Sequence, residues 1–276
     1  MKELLTNVLQ MNDEERRIYI EQNGTLLIDE MLKHIGYPED ELRDKLNYRL
    51  FIELLSTQVF SKQQMKHLTL TLIENDFLFF NIGEKGTDSV FTRSFSALWL
   101  TGLLYVDAQV QFLTIEEAMA TLHACSPYLN KEKDVRGFLE NKGWALAITH
   151  GADLSTAIVS HPSFELKLAP ILLEGIKTSL WKEDVFTNDE EERFIQIIEK
   201  LILREYPESI LIEWVEQVFD KLEFSLITTG YTPSYFAART NTLHFMKSLY
   251  FQLKFTKKMP KLMGIVSLLI AKWMKQ

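Results

Sequence analysis

Apolar residues recur at helical spacing along almost the whole chain, and no segment shows the convincing alternation of a β-strand. Glycine and proline, which interrupt helices, are sparse, with 11 and 7 among the 276 residues. The stretch VFTRSFSALWLTGLLY, residues 90–105, is apolar almost all round, which is typical of a buried helix. Ser61 with Gln64 and Thr114 with Glu117 fit capping boxes, which predict two helix starts. The sequence therefore predicts an all-α fold.

The predicted helices pair into hairpins, and the first helices of the pairs begin near Gly24, Ser61, Thr114, Ser163, Pro207 and Pro260. The spacing between these starts, about 37–53 residues, loosely brackets the repeat length of HEAT and armadillo arrays. We therefore predict a single domain, residues 1–276, of stacked antiparallel helical hairpins in a HEAT/armadillo-like right-handed superhelix. One helix of each pair would line a concave face, which is the expected binding surface.

Cysteine content and hydropathy bear on the compartment. Cys125 is the only cysteine, so the chain cannot form an internal disulfide, which suits a reducing cytosol. The N-terminal segment MKELLTNVLQMNDEERR is amphipathic and soon charged, unlike a secretory signal. The most apolar run, LMGIVSLLIA from Leu262, is far shorter than the roughly 20 residues that span a bilayer. We expect a cytoplasmic protein with no membrane partner.

Charge is unevenly distributed along the chain. The formal net charge of −8 makes nucleic acid an unlikely partner, because nucleic-acid binding needs a basic footprint. Thirteen acids and four bases lie between Glu183 and Glu223, whereas Asn241 to Gln276 holds seven lysines and no acid. Either the two regions neutralise each other when their helices stack, or the lysines form a basic face for an anionic partner.

None of the short motifs that carry familiar chemistry occurs in the sequence. It lacks the glycine-rich loops that bind nucleotide phosphates and the HExxH pair of zinc proteases. It also lacks the GxSxG elbow of serine hydrolases. The sequence therefore predicts no cofactor and offers no catalytic signature.

A histidine and an aspartate lie three residues apart in the segment GWALAITHGADLSTAIVS. A helix from Gly143 to Ser160 would turn Trp144 towards the core and place His150 and Asp153 on the opposite side, one turn apart. His150 could then act as a proton carrier or ligand that Asp153 orients. Alternatively, the pair makes a helix-surface hydrogen bond, or the histidine holds a neighbouring loop.

Two segments of the sequence, RSFSAL from Arg93 and KDVRGFLENKGWALAITHGADL from Lys133, resemble a bacterial family, the domain of unknown function 2785. The resemblance extends over most of the chain and implies a cytoplasmic, all-helical protein. The family pattern runs Asp-x-Arg-Gly, then Gly-Trp-Ala-His, then His-Gly-Ala-Asp. It is matched here by Asp134, Arg136, Gly137, Gly143, Trp144, Ala145, His150, Gly151, Ala152 and Asp153.

One departure from this pattern bears on metal binding. Leu146 stands where the family has a histidine, so a His, His, Asp stripe that could ligate a metal is incomplete. We therefore predict no metal site. The Arg-Ser pair of RSFSAL also matches the family, so an arginine is expected near the same region. The candidate functional cluster comprises Arg93, Asp134, Arg136, His150 and Asp153.

The sequence leaves two functions open. The first is a helical-repeat scaffold that binds a protein or small-molecule partner and performs no chemistry. The second is a small-ligand-binding protein or enzyme that uses the polar cluster around His150 and Asp153. Convergence of the five candidate side chains on an accessible hollow would favour the second.

Overall fold

The computed structural model describes residues 1–275, which are almost entirely helical. The all-α prediction is confirmed. The chain forms two compact units, unit 1 (Met1–Phe164) and unit 2 (Glu165–Gln276). A single domain and a right-handed superhelix stay predictions.

Unit 1 is built around two buried helices that pack against each other, α5 and α8. Both predicted capping boxes are confirmed: Ser61 caps α4 and Thr114 caps α6. A π-helix over Glu41–Tyr48 leads directly into α3. The helices of unit 1 are α1 (Lys2–Gln10), α2 (Asp13–Lys33), α3 (Arg49–Ser56), α4 (Lys62–Leu72), α5 (Ser89–Val110), α6 (Ile115–Cys125), α7 (Tyr128–Lys131) and α8 (Ala147–Ser160).

The predicted helix from Gly143 to Ser160 is wrong in its first turn. Residues 143 and 144 instead form strand β2 (Gly143–Trp144), which pairs antiparallel with β1 (Phe138–Leu139). Gly143 has φ +77° and Leu146 has φ +53°, left-handed values that a helix does not allow, so α8 begins at Ala147. Trp144 is therefore no core anchor: it is 45 % exposed and packs edge-on against Phe138.

Unit 2 is organised around its longest helix, α12, which packs against each of the other four α-helices of the unit. Prolines open α12 and α13, where a helix has no amide hydrogen bond to lose. A short 3-10 helix, Leu166–Leu168, precedes the α-helices of the unit. These are α9 (Ala169–Leu180), α10 (Glu190–Leu203), α11 (Glu208–Thr229), α12 (Pro233–Thr256) and α13 (Pro260–Trp273).

None of the helices within residues 1–275 combines the length and the apolar composition that crossing a bilayer requires.

Candidate functional site

The five residues predicted from the sequence all lie in unit 1: Arg93 on α5, Asp134 and Arg136 between α7 and β1, and His150 and Asp153 on α8. They do not form one cluster. The loop between α4 and α5 is joined to the segment 132–136 by Arg93, Asp134 and Arg136. His150 and Asp153 belong to a second group, on α8.

Arg93 is a fully buried cation with a matched buried anion. Its Nε donates to Glu132 Oε2 at 2.7 Å and its Nη2 to Glu132 Oε1 at 3.0 Å, a two-pronged geometry that carboxylates favour. The remaining donors reach the Ser89 hydroxyl and backbone carbonyls of the loop between α4 and α5. Burial opposes the charge of Arg93, but Glu132 outweighs it and raises the pKa of the guanidinium. The N–H groups of Arg93 that could bind a ligand are therefore all hydrogen-bonded within the protein.

Glu132 is the partner that sequence reasoning missed. Its carboxylate also accepts the Tyr128 hydroxyl and the backbone amides of Lys133 and Asp134. Burial, followed by the charge of Glu132, raises the pKa of Tyr128 well above its ordinary value. Glu132 lies only two residues before Asp134. Its partner Arg93 is 39 residues away, and no sequence pattern around Glu132 indicates that pairing.

Asp134 and Arg136 form a second set of hydrogen bonds between the segment 132–136 and the loop that precedes α5. The Asp134 carboxylate accepts the Gly86 amide at 3.0 Å and pairs with Arg136 Nη2 at 2.7 Å. The same Nη2 donates to the Thr87 carbonyl at 2.6 Å. The Asp134 side chain is buried and the Arg136 side chain is partly exposed. The segment from 132 to 136 is thus fixed to the loop that precedes α5.

His150 is buried, and its hydrogen bonds define its tautomer. The Ser94 hydroxyl lies within hydrogen-bond distance of both the Ala145 carbonyl and His150 Nδ1, the latter at 2.7 Å. A hydroxyl has one hydrogen, and a carbonyl can only accept, so Ser94 donates to Ala145. His150 Nδ1 must then carry the proton that it donates to Ser94. The imidazole also packs edge-on against Phe95.

Asp153 is half-buried, and its charge acts on two tyrosines that sequence reasoning did not identify. Burial raises the pKa of Tyr48, and the Asp153 carboxylate raises it further. The pKa of Tyr105 is raised in the same way, first by burial and then by Asp153. Tyr48 ends the π-helix and Tyr105 lies on α5, so neither is near Asp153 in the sequence.

Arg43 is the second fully buried arginine of unit 1, and it ties the π-helix to the β-hairpin. Its Nη2 donates to the Lys142 carbonyl at 2.7 Å and pairs with Asp44 at 2.7 Å. The guanidinium lies over the rings of Phe91 and Phe95. Burial lowers the pKa of Arg43. Irregular π-type turns are frequent at functional sites, but here the π-helix presents an arginine that is engaged internally.

A hollow of about 610 Å³ in unit 1 is lined by none of the five candidate residues; its lining includes Asp29, His67 and Phe77. Within residues 1–275, no three histidines, cysteines or acids are placed to hold a metal ion. The hydrogen bonds of Arg93, Asp134 and Arg136 described above join two segments of unit 1.

No curated protein and no solved structure matches this chain. A family model does match, over residues 78–251, which is more than half of the chain. The matched region contains all five candidate residues together with Glu132. The chain therefore belongs to the family described as protein of unknown function DUF2785.

Proposed function

We propose that this protein is a cytoplasmic helical-repeat scaffold that binds a protein partner through unit 2. The observation that supports this most directly is a row of side chains on α12 that are exposed or, at Lys247, half-buried, which we term the α12 stripe: Lys247, Phe251, Lys254 and Phe255. Their spacing of i, i+4, i+7 and i+8 places them on one helix face.

The α12 stripe combines apolar and basic side chains that the protein itself does not cover. Phe251 is 50 % and Phe255 is 74 % exposed, and their rings stack with centroids 6.1 Å apart. No ion pair joins Lys247 or Lys254 to another residue in the described part of the chain. Exposed aromatic side chains grouped on one face are typical of protein-binding surfaces.

Charge pairing within unit 2 supports an acidic partner. Glu223 pairs with Lys272 at 3.2 Å, and Glu208 accepts the backbone amides of Lys261 and Leu262 at the start of α13. These two acids contact α13 and form no ion pair with the lysines of the α12 stripe. A partner that carries both carboxylates and apolar side chains would complement the stripe.

Helix contacts within unit 2 support the repeat architecture. α10 packs against α12, α11 packs against α12 and α13, and α12 packs against α13. This pattern is typical of stacked helical hairpins in which each repeat contacts its neighbours. A cytoplasmic location fits the cysteine content, because Cys125 is the only cysteine of the sequence and its thiol is free and buried.

A photo-crosslinking amino acid placed at Phe255 in the full-length protein, in the cells that express it, tests this proposal. We expect one discrete crosslinked protein, which disappears when Lys247→Glu and Lys254→Glu are added. The matched control places the crosslinker at Leu26, an exposed apolar residue of unit 1. Absence of a crosslinked protein at Phe255, or the same product from Leu26, would contradict the proposal.

A second candidate is a small-ligand site at His150 and Asp153. Its support is the convergence of Asp153 with Tyr48 and Tyr105, two phenols whose pKa values it raises. A thermal-shift screen of small molecules, repeated on Asp153→Asn, tests this candidate. A ligand that stabilises the parent but not the folded variant would support it, and equal stabilisation of both would refute it.

A further inference from the structure

The end of unit 2 away from the α12 stripe contains a hollow of about 460 Å³ between α11, α12 and α13. Its walls are about equally polar and apolar, and they include Ile227, Tyr231 and Phe236, which are all exposed. The rings of Tyr231 and Phe236 stack with centroids 5.8 Å apart. A volume of this size lies within the range of small-molecule pockets.

Arg239 supplies the hydrogen-bond donors of this hollow. Its Nη2 donates to the Trp273 carbonyl at 2.8 Å, and the guanidinium also hydrogen-bonds to Tyr235, which leaves other N–H groups of this partly exposed side chain available. Trp273 also lines the hollow, but its indole Nε1 is buried within the protein. The Arg239 guanidinium is therefore the donor that a ligand in the hollow can reach.

The charges around the hollow favour an anion. The one acid of the lining, Glu223, pairs with Lys272 at 3.2 Å. Arg239 has no carboxylate partner within residues 1–275, and its positive charge also acts on Tyr235, where it opposes the rise in pKa that burial causes. The hollow therefore offers one cation without a carboxylate partner beside aromatic walls.

We propose that this hollow binds a carboxylate attached to an apolar group. The carboxylate accepts hydrogen bonds from Arg239, and the apolar group packs against Ile227, Tyr231 and Phe236. This site is separate from the α12 stripe and does not depend on it. The carboxylate could belong to a free small molecule or to the C-terminus of a peptide.

Titration of the full-length protein with naphthalene-2-acetate, and with the uncharged alcohol 2-(2-naphthyl)ethanol, tests the proposal. We expect the acid to bind at least tenfold more tightly than the alcohol. We also expect it to shift the Trp273 indole N–H signal in nitrogen-15 NMR spectra, a signal that Trp273→Phe identifies. Equal affinity for acid and alcohol, or an unmoved Trp273 signal, would overturn the proposal.

Charge substitutions at an exposed wall residue make the test independent of folding. Ile227 is 77 % exposed, so neither Ile227→Lys nor Ile227→Glu should disturb the core. We expect the lysine variant to bind the acid several-fold more tightly and the glutamate variant at least tenfold more weakly. Arg239→Gln should remove the preference for the acid, whereas Lys254→Gln in the α12 stripe should not change it. The same affinity for the acid in both Ile227 variants would contradict the assignment.

A peptide arm distinguishes the two sources of the carboxylate. N-acetyl-leucyl-phenylalanine with a free C-terminus is compared with its C-terminal amide. Tighter binding of the free peptide than of naphthalene-2-acetate assigns the hollow to a peptide C-terminus, and the reverse assigns it to a small molecule. Both outcomes support carboxylate recognition, but binding of the amide as tightly as the acid would refute it.

Discussion

At the scale of single residues, the buried charges of unit 1 hold its loops in place. Three contacts join segments that are distant in sequence: Arg93 with Glu132, Asp134 with the Gly86 amide, and Arg43 with the Lys142 carbonyl. A buried charge that loses its partner is strongly destabilising, because the remaining ion stays desolvated. These arginines are therefore positioned by what they pair with rather than by what they expose to solvent.

Neutralising Glu132 is the direct test of this view. We expect Glu132→Gln to lower the free energy of unfolding by about 3–5 kcal/mol, because Arg93 would remain buried without an anion. Urea titration followed by circular dichroism measures the effect. The control is Glu30→Gln, which removes the partner of an exposed pair with Lys33 and should leave the midpoint nearly unchanged. A small effect at Glu132 would show that Arg93 is not held by this pair.

Tyr128 predicts a pH dependence of stability. Its pKa is raised in the folded protein by burial and then by Glu132, so above about pH 10 the unfolded chain loses a proton that the folded chain keeps. Stability must then fall as the pH rises above the ordinary tyrosine value. We expect Tyr128→Phe to make this alkaline loss shallower by about 1.4 kcal/mol per pH unit. An unchanged slope in unfolding measured between pH 9.5 and 11 would refute this.

At the scale of elements, α8 depends on a close approach that only glycine permits. A Cβ atom at Gly151 would lie 2.7 Å from atoms of Tyr128 and Leu129, both of them buried. Alanine is otherwise the better helix former by about 1 kcal/mol. The steric conflict in a packed core outweighs that advantage, which explains a glycine in the middle of a buried helix.

Two glycine substitutions with opposite expected signs test this explanation. Gly151→Ala should destabilise the protein by about 1–3 kcal/mol, because Tyr128 or Leu129 must move. Gly264→Ala lies in α13 with nothing within 4 Å of the added Cβ, and it should stabilise by up to about 1 kcal/mol. Thermal unfolding of both variants beside the parent gives the comparison. The same sign for both variants would show that close packing at Gly151 does not matter.

At the scale of the whole molecule, the division into two units separates the structural network from the proposed binding surfaces. All the buried pairs of Arg43, Arg93 and Asp134 lie within Met1–Phe164, whereas the α12 stripe and the Arg239 hollow lie within Glu165–Gln276. Each compact unit has its own buried apolar side chains, which is the usual condition for independent folding.

A fragment that ends at Phe164 tests this division. We expect residues 1–164 to unfold cooperatively and to keep strong protection of the α5 and α8 amides in hydrogen exchange, because their partners lie within unit 1. The full-length chain is the reference. A fragment without a cooperative transition would show that unit 1 needs unit 2 in order to fold.

The sequence by itself determined the all-helical class, the buried character of α5 and the starts of α4 and α6. These features follow from local patterns, namely apolar spacing and capping pairs three residues apart, so they can be identified without knowing the fold. The family pattern also identified Arg93, Asp134, Arg136, His150 and Asp153 as residues of interest, but not what they contact.

Only the tertiary structure decided the rest. Glu132 is 39 residues from its partner Arg93, and Ser94 is 56 residues from its partner His150. No local pattern encodes such pairings. A β-hairpin stands where the first turn of α8 was predicted, and Arg43, from about 100 residues away, donates to its Lys142 and Trp144 carbonyls. Helix formation depends on near neighbours along the chain, whereas the pairing of buried charges depends on which distant segments the packed core brings together.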